Sequence, residues 1–314
     1  MDNREKNFVS AVVYVHDCQD RIGVFLENVL SALSANFAHS ELICVNDYSR
    51  DGSVDAIRAM SPRADALGVS VTVVNMSCFH GLELAMNAGL ELAIGDYVFE
   101  FDSTEPDWAA EDVMAVYARA MQGYDIVSAA PEKRQSLSSR IFYRTFQRYS
   151  PMPYKMHTES FRMISRRAIN RISGINRAVP YRKAIYASCG LRSDGIYYMP
   201  KAVRSASGVT CGERGYRRRL AVDTLLLFTD VGYRLSMFMT ALMMLATVFM
   251  AVYSLVIFII GNPVEGWTTT ILFLSFAFFG LFGILTVVVK YLQILVDLVF
   301  RRKKYIFESI EKLN

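Results

Sequence analysis

The first 130 residues alternate between short apolar runs and amphipathic stretches. The apolar runs occupy 8–15, 41–47, 69–76, 96–102 and 124–130. After the first run, apolar residues recur at 22, 25, 26, 29, 30 and 33, which is helical spacing, and 81–95 is rich in helix-forming residues. Strands that alternate with helices predict an α/β domain whose mostly parallel sheet carries helices on both faces.

Two later segments contain no charged residue over a long stretch. They cover 235–260 and 268–289, which are 26 and 22 residues. At about 1.5 Å rise per residue, each helix is long enough to cross a hydrocarbon core of about 30 Å. Basic residues precede the first segment and follow the second, whereas 261–267 contains neither Lys nor Arg. The positive-inside rule then predicts two transmembrane helices, about 235–260 and 268–290, with both termini in the cytosol.

These patterns predict three parts of the chain. Residues 1–212 form a cytosolic domain, because the N-terminal decapeptide is polar and no apolar signal-peptide core follows it. Residues 213–234 alternate basic and apolar groups and are typical of an amphipathic juxtamembrane helix. Residues 235–314 form the membrane hairpin and a basic cytosolic tail. We therefore expect a multi-pass protein of the inner (cytoplasmic) membrane.

The composition and the absence of several motifs exclude some classes of protein and of site. Hydrophobic residues make up 53% of the chain and charged residues 20%, which excludes a disordered chain or a nucleic-acid-binding tail. The five cysteines and four histidines show no metal-ligand spacing, so we expect reduced thiols and no zinc site. The sequence contains no phosphate-binding P-loop, no G-x-G-x-x-G and no G-x-S-x-G motif.

The formal net charge of +4 conceals a segregation of charge along the chain. Residues 1–130 contain 7 Lys and Arg against 20 Asp and Glu, whereas 131–220 contain 20 against 4. The basic segment leads into the predicted membrane hairpin. Either it is a solvated basic face, or it attracts anionic lipid or a phosphate-bearing substrate at the membrane surface.

Acidic residues follow three of the predicted strands. Asp17 follows the first, Asp47 and Asp51 the second, and Asp102, with Glu105 and Asp107, the fourth. A single carboxylate in such a place is usually a turn or helix-cap residue. Three groups at the carboxyl ends of parallel strands, where α/β sheets bind ligands, indicate a site for a divalent ion that bridges phosphates, or for the base and ribose of a nucleotide.

Several segments resemble motifs of one enzyme family. CVNDYSRDGS resembles the motif VDDGSTDGS, and HGLELAMNAGLELAIGDYVFEFDS resembles the segment that leads into the family's Asp-x-Asp. VVYVHDCQDRIGVFLENVL, ESFRMISRRAIN and CGERGYRRRLAVDTLL resemble three further motifs. The first 200 residues thus resemble the GT-A glycosyltransferases of family 2. With the two predicted spans, the chain is most similar to the polyisoprenyl-phosphate glycosyltransferases, relatives of dolichol-phosphate mannose synthase.

The resemblance implies a nucleotide-sugar donor at the carboxyl ends of the strands. The residues expected to bind this donor are Asp17, Asp47, Asp102 and Thr104. A divalent ion, Mg²⁺ or Mn²⁺, would be bound by Asp102 with Glu105 or Asp107.

The resemblance also implies a polyprenyl phosphate acceptor, such as undecaprenyl phosphate, and inversion at the sugar. The residues expected to contact the lipid phosphate are Lys133, Arg134, Arg140, Arg162 and Tyr216. The expected catalytic residues are Asp102, Arg162 and Glu159. Members of this family form tetramers, so we also expect a homo-oligomer. We expect no nucleic acid partner.

Departures from the family motifs leave two alternatives open. The Asp-x-Asp is Asp102-Ser103-Thr104 here, and Ser160 replaces the acid before Phe-Arg. A lipid monophosphate is largely dianionic at neutral pH, so it needs positioning more than a base, and Ser160 is compatible with transfer. A lipid-linked saccharide hydroxyl as acceptor would need a base. A non-catalytic subunit that keeps the fold for binding or regulation is the other alternative. A small transporter is excluded because the spans carry no charge.

Overall fold

The computed structural model describes residues 4–105, 107–132, 144, 159–175, 182–201 and 307–312, with separate helical residues between 238 and 295. The strands of this part are β1 Glu5–Val15, β2 Phe37–Asn46, β3 Ser70–Met76, β4 Tyr97–Phe101, β5 Ile126–Pro131, β6 Phe161–Ser165, β7 Ser193–Tyr198 and β8 Phe307–Lys312. The helices are α1 Gln19–Asn36, α2 Ser53–Ala59, α3 Ser61–Leu67, α4 Leu82–Leu92, α5 Ala110–Ala120, α6 Arg166–Ile175 and α7 Arg182–Ser188. All five predicted strands are confirmed, and so are the helices predicted around 22–33 and 81–95.

The described strands form a single sheet in the order β7-β5-β6-β4-β1-β2-β3-β8. Strands β1 to β4 are parallel, and β5 is parallel to β7. Strand β6 lies antiparallel between β4 and β5, and β8 runs antiparallel to β3. The prediction of an α/β fold with a mostly parallel sheet is therefore confirmed.

Helices pack on the sheet through the residues that the sequence pattern identified. In α1 the six predicted apolar positions are all buried, and they join the core beside β1 and β2. Helix α4 approaches β1 and β2 closely at Gly89. A Cβ atom on this glycine would lie 2.4 Å from Val12 Cγ1 and 2.7 Å from Val45 Cγ2. Only glycine therefore allows this contact between helix and sheet.

The C-terminal strand β8 was not predicted. The basic tail was expected to follow the membrane hairpin as a cytosolic extension, but Phe307–Lys312 pairs with β3 and extends the sheet. The chain divides into two compact units: 1–147, 152–220 and 302–314 form the first, and 148–151 with 221–301 form the second. The predicted three-part division of the chain stays a prediction.

Among the described residues, none of the helices combines the length and the hydropathy that crossing a bilayer requires. The predicted juxtamembrane helix 213–234 lies outside those residues. So do most residues of the predicted spans 235–260 and 268–290. The membrane hairpin accordingly stays a prediction.

Candidate active site

The loops after β1 and β2 are tied together by their own polar side chains. Asp17 Oδ1 accepts a hydrogen bond from the backbone N–H of Arg50 at 2.8 Å, and Asp51 Oδ2 accepts one from Gln19 N–H at 2.9 Å. The Asp17 side chain is 42% exposed. Asp17 thus lies where the sequence predicts, at the carboxyl edge of the sheet, with part of its carboxylate open to a ligand.

Asp47 is fully buried at the end of β2, and it organises the neighbouring loop. Its Oδ1 accepts from His80 N–H at 2.8 Å, and its Oδ2 accepts from Gly81 N–H at 2.8 Å and from the Tyr14 hydroxyl at 3.0 Å. These bonds hold the start of α4 against β2. A contact between Asp47 and the nucleotide stays a prediction.

A charged side chain lies in the middle of the sheet. Glu100, in β4, is 0% exposed and stands opposite Arg162 of β6. Arg162 Nη1 donates to Glu100 Oε2 at 2.7 Å, and Arg182 Nη1, from α7, donates to Glu100 Oε1 at 2.8 Å. The Tyr186 hydroxyl donates to the same Oε1 at 2.8 Å. A buried carboxylate requires such partners, because unpaired burial of a charge is very unfavourable.

The same two arginines hold Asp102 at the end of β4. Arg162 Nη2 donates to Oδ2 at 2.5 Å and Arg182 Nη2 donates to Oδ1 at 2.6 Å. Burial alone would raise the pKa of the Asp102 carboxyl, but the two guanidiniums, with Lys183 beyond them, lower it well below its usual range. Asp102 is therefore a fixed anion whose orientation is set from both sides.

Two further carboxylates complete the buried ion cluster, which comprises Glu83, Glu100, Asp102, Glu159, Arg162, Arg182 and Lys183. Glu83 Oε2 accepts from Arg182 Nε at 3.0 Å, and Glu159 Oε2 accepts from Arg162 Nε at 3.0 Å. Lys183 Nζ lies 3.9 Å from Glu159 Oε2. Within the described part of the chain, four carboxylates face three cations, which gives the cluster a formal net charge of −1. Asp102 is the most exposed of the four carboxylates, at 11%.

The predicted metal ligands do not form one group. Asp107 Oδ1 accepts from the Tyr198 hydroxyl at 2.8 Å, Glu105 is exposed, and Thr104 is buried. Across the described ranges, no three His, Cys, Asp or Glu side chains are grouped to hold a metal ion. Each Asp102 oxygen accepts one side-chain hydrogen bond from the described residues and can accept a second, and the buried ion cluster has a formal net charge of −1. Asp102 therefore fits a divalent ion that brings most of its other ligands with it.

Five residues are predicted to contact the lipid phosphate, and one of them, Arg162, is among the described residues. It is 1% exposed and pairs with three carboxylates. Lys133, Arg134, Arg140 and Tyr216 lie outside the described residues. Sequence reasoning missed Glu83, Glu100, Arg182 and Tyr186. Glu100 alone gave a signal, because a Glu inside the apolar run 96–102 needs a buried partner.

The order of the strands, with acidic residues at the carboxyl ends of β1, β2 and β4, defines a GT-A fold of the Rossmann-like α/β class. The chain belongs to glycosyl transferase family 2, whose model matches residues 10–179. The predicted membership of family 2 is therefore confirmed, whereas the narrower class of polyisoprenyl-phosphate glycosyltransferases stays a prediction.

Individual relatives align with part or nearly all of the chain. An uncharacterized glycosyltransferase of Synechocystis sp. is 25% identical over 198 residues, which are 60% of each chain. The undecaprenyl-phosphate 4-deoxy-4-formamido-L-arabinose transferase of Aeromonas hydrophila is 30% identical over 135 residues, 43% of this chain and 40% of that protein. In both cases the chain spans less than two thirds of the relative. The prophage-derived bactoprenol glucosyl transferase of Shigella flexneri is 26% identical over 98% of this chain and 99% of its own.

Solved structures agree on the fold. The glucosyl-3-phosphoglycerate synthase of Mycobacterium tuberculosis, in complex with Mn²⁺, UDP-glucose and phosphoglyceric acid, aligns with a TM-score of 0.51 at 12% identity. The alignment covers 70% of this chain and 79% of that one. At this identity the likeness shows the fold alone.

Proposed function

We propose that the protein is a membrane-bound, inverting glycosyltransferase that moves a sugar from a nucleotide-sugar donor to a polyprenyl phosphate, such as undecaprenyl phosphate, on the cytosolic face. The buried ion cluster carries this proposal, because it fixes Asp102 at the carboxyl edge where the fold binds its donor. The full-length similarity to a bactoprenol glucosyl transferase supports the acceptor.

The acceptor phosphate supplies the nucleophile. A phosphate oxygen of the lipid forms a bond to the anomeric carbon while the bond from that carbon to the donor's diphosphate breaks, so the sugar inverts. A phosphate monoester has a second pKa of about 6, and its dianion attacks without giving up a proton. The chain's task is to position both partners and to stabilise the charge of the departing nucleoside diphosphate.

On the donor side, Asp17 and Asp47 are assigned to the base and ribose, and Asp102 with Thr104 to the sugar and diphosphate. Mg²⁺ or Mn²⁺ would be held by Asp102, and, when bound, it would stabilise the negative charge of the leaving group. Asp102 has the required properties, since it is anionic, 11% exposed and firmly oriented.

On the acceptor side, Lys133, Arg134, Arg140 and Tyr216 are assigned to the lipid phosphate. Arg162 was also predicted for this phosphate, but it is 1% exposed and paired with three carboxylates, so its part in the proposal is to orient Asp102 through its Nη2 group. Glu159 is held by Arg162 and lies near Lys183, so it aligns cationic groups instead of acting as a base. This arrangement favours a phosphate acceptor over the hydroxyl of a lipid-linked saccharide.

Two observations support the membrane topology. Strand β8 pairs with β3, so the domain and the C-terminal strand lie on one side of any membrane that the chain crosses between them. An even number of crossings, such as the proposed pair, satisfies this condition. Helical residues Phe238, Leu242, Leu245 and Phe249 recur every three or four positions and are 37–69% exposed, as lipid-facing residues are.

The test is transfer by the purified full-length chain in lipid nanodiscs that contain undecaprenyl phosphate. UDP- and GDP-sugars are supplied in turn with Mg²⁺ or Mn²⁺, and nucleoside diphosphate and glycolipid are both measured. We expect one donor to give both products, and Asp102→Asn to abolish them. Nucleotide binding without transfer to any acceptor would instead support the non-catalytic subunit, and transfer only to a lipid-linked saccharide would support the hydroxyl acceptor.

A further inference from the structure

Three aromatic residues, His16, Tyr48 and Phe79, lie in the loops that follow β1, β2 and β3, at the carboxyl edge of the sheet. The centroids of the His16 and Phe79 rings lie 4.8 Å apart, and His16 Nδ1 lies 2.7 Å from the backbone oxygen of Asp47. Tyr48 follows Asp47 directly, and Asp47 Oδ1 accepts from the N–H of His80, the residue after Phe79. Asp47 thus links all three segments at one edge of the sheet.

Tyr48 has an unusual backbone conformation. Its φ is +58°, in the left-handed region, where a bulky side chain is strained. The residue is 42% exposed, so it contributes little to the core, and the Arg50 guanidinium carbon lies 5.8 Å from the centroid of its ring. A strained, exposed aromatic residue in a loop that carries Asp47 indicates a functional constraint at this position.

Phe79 is exposed to a similar degree, at 44%, and the neighbouring carboxylate of Asp17 is 42% exposed. Flat apolar faces beside an open hydrogen-bond acceptor suit a planar heteroaromatic ring with polar edges. Every nucleobase has such a face, and stacking on an aromatic side chain is a strong, sequence-tolerant contact for bases.

We propose that Tyr48 and Phe79 bind the nucleobase of the donor by stacking, and so determine how tightly the chain holds a nucleotide compared with a bare diphosphate. This inference rests on the proposed nucleotide-sugar donor. It predicts that the base contributes to affinity through ring contacts, in addition to any hydrogen bond from Asp17.

The test measures binding of UDP, GDP and inorganic pyrophosphate to the full-length chain by calorimetry, together with its thermal midpoint. Tyr48→Asn removes the ring, and Asn tolerates a left-handed φ. We expect it to weaken the preferred nucleotide by roughly 5- to 150-fold and to leave pyrophosphate unchanged. The same substitution should raise the thermal midpoint by about 1–3 °C, because it relieves backbone strain.

Tyr48→Phe is the matched control, since it keeps the ring and the strain and should change neither quantity. Phe79→Ala, at a position without that strain, should weaken the nucleotide without raising the midpoint. Unchanged nucleotide affinity in Tyr48→Asn and Phe79→Ala, or an equal loss for pyrophosphate, would overturn the inference. Failure of the proposed function has a different signature: no glycolipid forms from any donor, whatever the two variants do to nucleotide binding.

Discussion

Arg182 is one of the two buried arginines that hold the buried ion cluster together. Its three side-chain nitrogens donate to Glu83, Glu100 and Asp102 at 3.0, 2.8 and 2.6 Å, and the arginine itself is 1% exposed. Arg182→Met keeps an unbranched apolar stem but removes the guanidinium. Four carboxylates would then face only Arg162 and Lys183, and Glu83 would lose the cation that its carboxylate contacts.

Removing one partner of a buried ion pair costs about 3–5 kcal/mol, because the charge left behind is neither solvated nor paired. That is a large part of the roughly 5–15 kcal/mol that stabilises a typical domain. The expected fall in thermal midpoint is about 6–15 °C. Thermal and urea unfolding of the full-length chain in detergent measure both quantities.

Arg63→Met is the matched control, because Arg63 and Glu27 form an exposed pair, 50% and 41% exposed, with Nη2 and Oε1 2.8 Å apart. Exposed pairs contribute little, so this substitution should leave the midpoint nearly unchanged. Arg182→Lys should fall between the two, since one ammonium cannot reproduce the three contacts of a planar guanidinium. Equal midpoints for Arg182→Met and Arg63→Met would refute the reasoning.

Three further predictions follow from the same contacts. Gly89→Ala should destabilise the fold by about 1–3 kcal/mol in urea unfolding, because the added Cβ overpacks against β1 and β2. Gly23→Ala is the control: no atom lies within 4 Å of its added Cβ, so it should stabilise α1 by about 0.5–1 kcal/mol. The lowered pKa of Asp102 means that its ionic contribution is complete above about pH 4 and is lost as the pH falls further. The midpoint difference between the wild-type chain and Asp102→Asn should therefore be constant from about pH 5 to pH 8 and shrink in more acidic buffer; a difference that shrinks near pH 7 would contradict this. Mn²⁺ alone should not bind tightly to the chain by electron paramagnetic resonance, because Asp102 supplies one carboxylate, and tight binding should appear only when a nucleoside diphosphate is added.

Sequence patterns predicted the strands and helices of the first 130 residues, but they did not predict the later strands of the sheet. The six apolar positions of α1 repeat with a helical period and are all buried, so periodicity alone identified the face that packs on the sheet. Strand β6 lies between β4 and β5 because it pairs with residues far away in the sequence: Arg162 pairs with Glu100, 62 positions away, and with Ser128, 34 positions away. A pattern along the sequence contains no information on such partners.

The sequence likewise predicted only some residues of the site. Asp17, Asp47 and Asp102 lie at strand ends, where topology alone directs attention. Arg182 could not be recognised, because its partners are 80 to 99 positions away and the surrounding segment is basic throughout. Tyr48 carried an unused signal: the motif VDDGSTDGS has glycine at this position, and its replacement by a bulky residue at positive φ marks a local conflict.

The structure gives a second reason for the segregation of charge along the chain. The acidic half contributes Glu83, Glu100 and Asp102 to the buried ion cluster, and the basic segment contributes Arg162, Arg182 and Lys183. Arg162 and Arg182 therefore neutralise carboxylates inside the domain, where both are 1% exposed, and do not form a surface for lipid. Arg166 instead donates to the backbone oxygens of Ala93 and Gly95, and the exposed Arg167 pairs with Asp125. The proposed attraction to a lipid phosphate then rests on other basic residues of the segment. Lys133, Arg134 and Arg140 are the first to substitute when lipid binding is measured separately from stability.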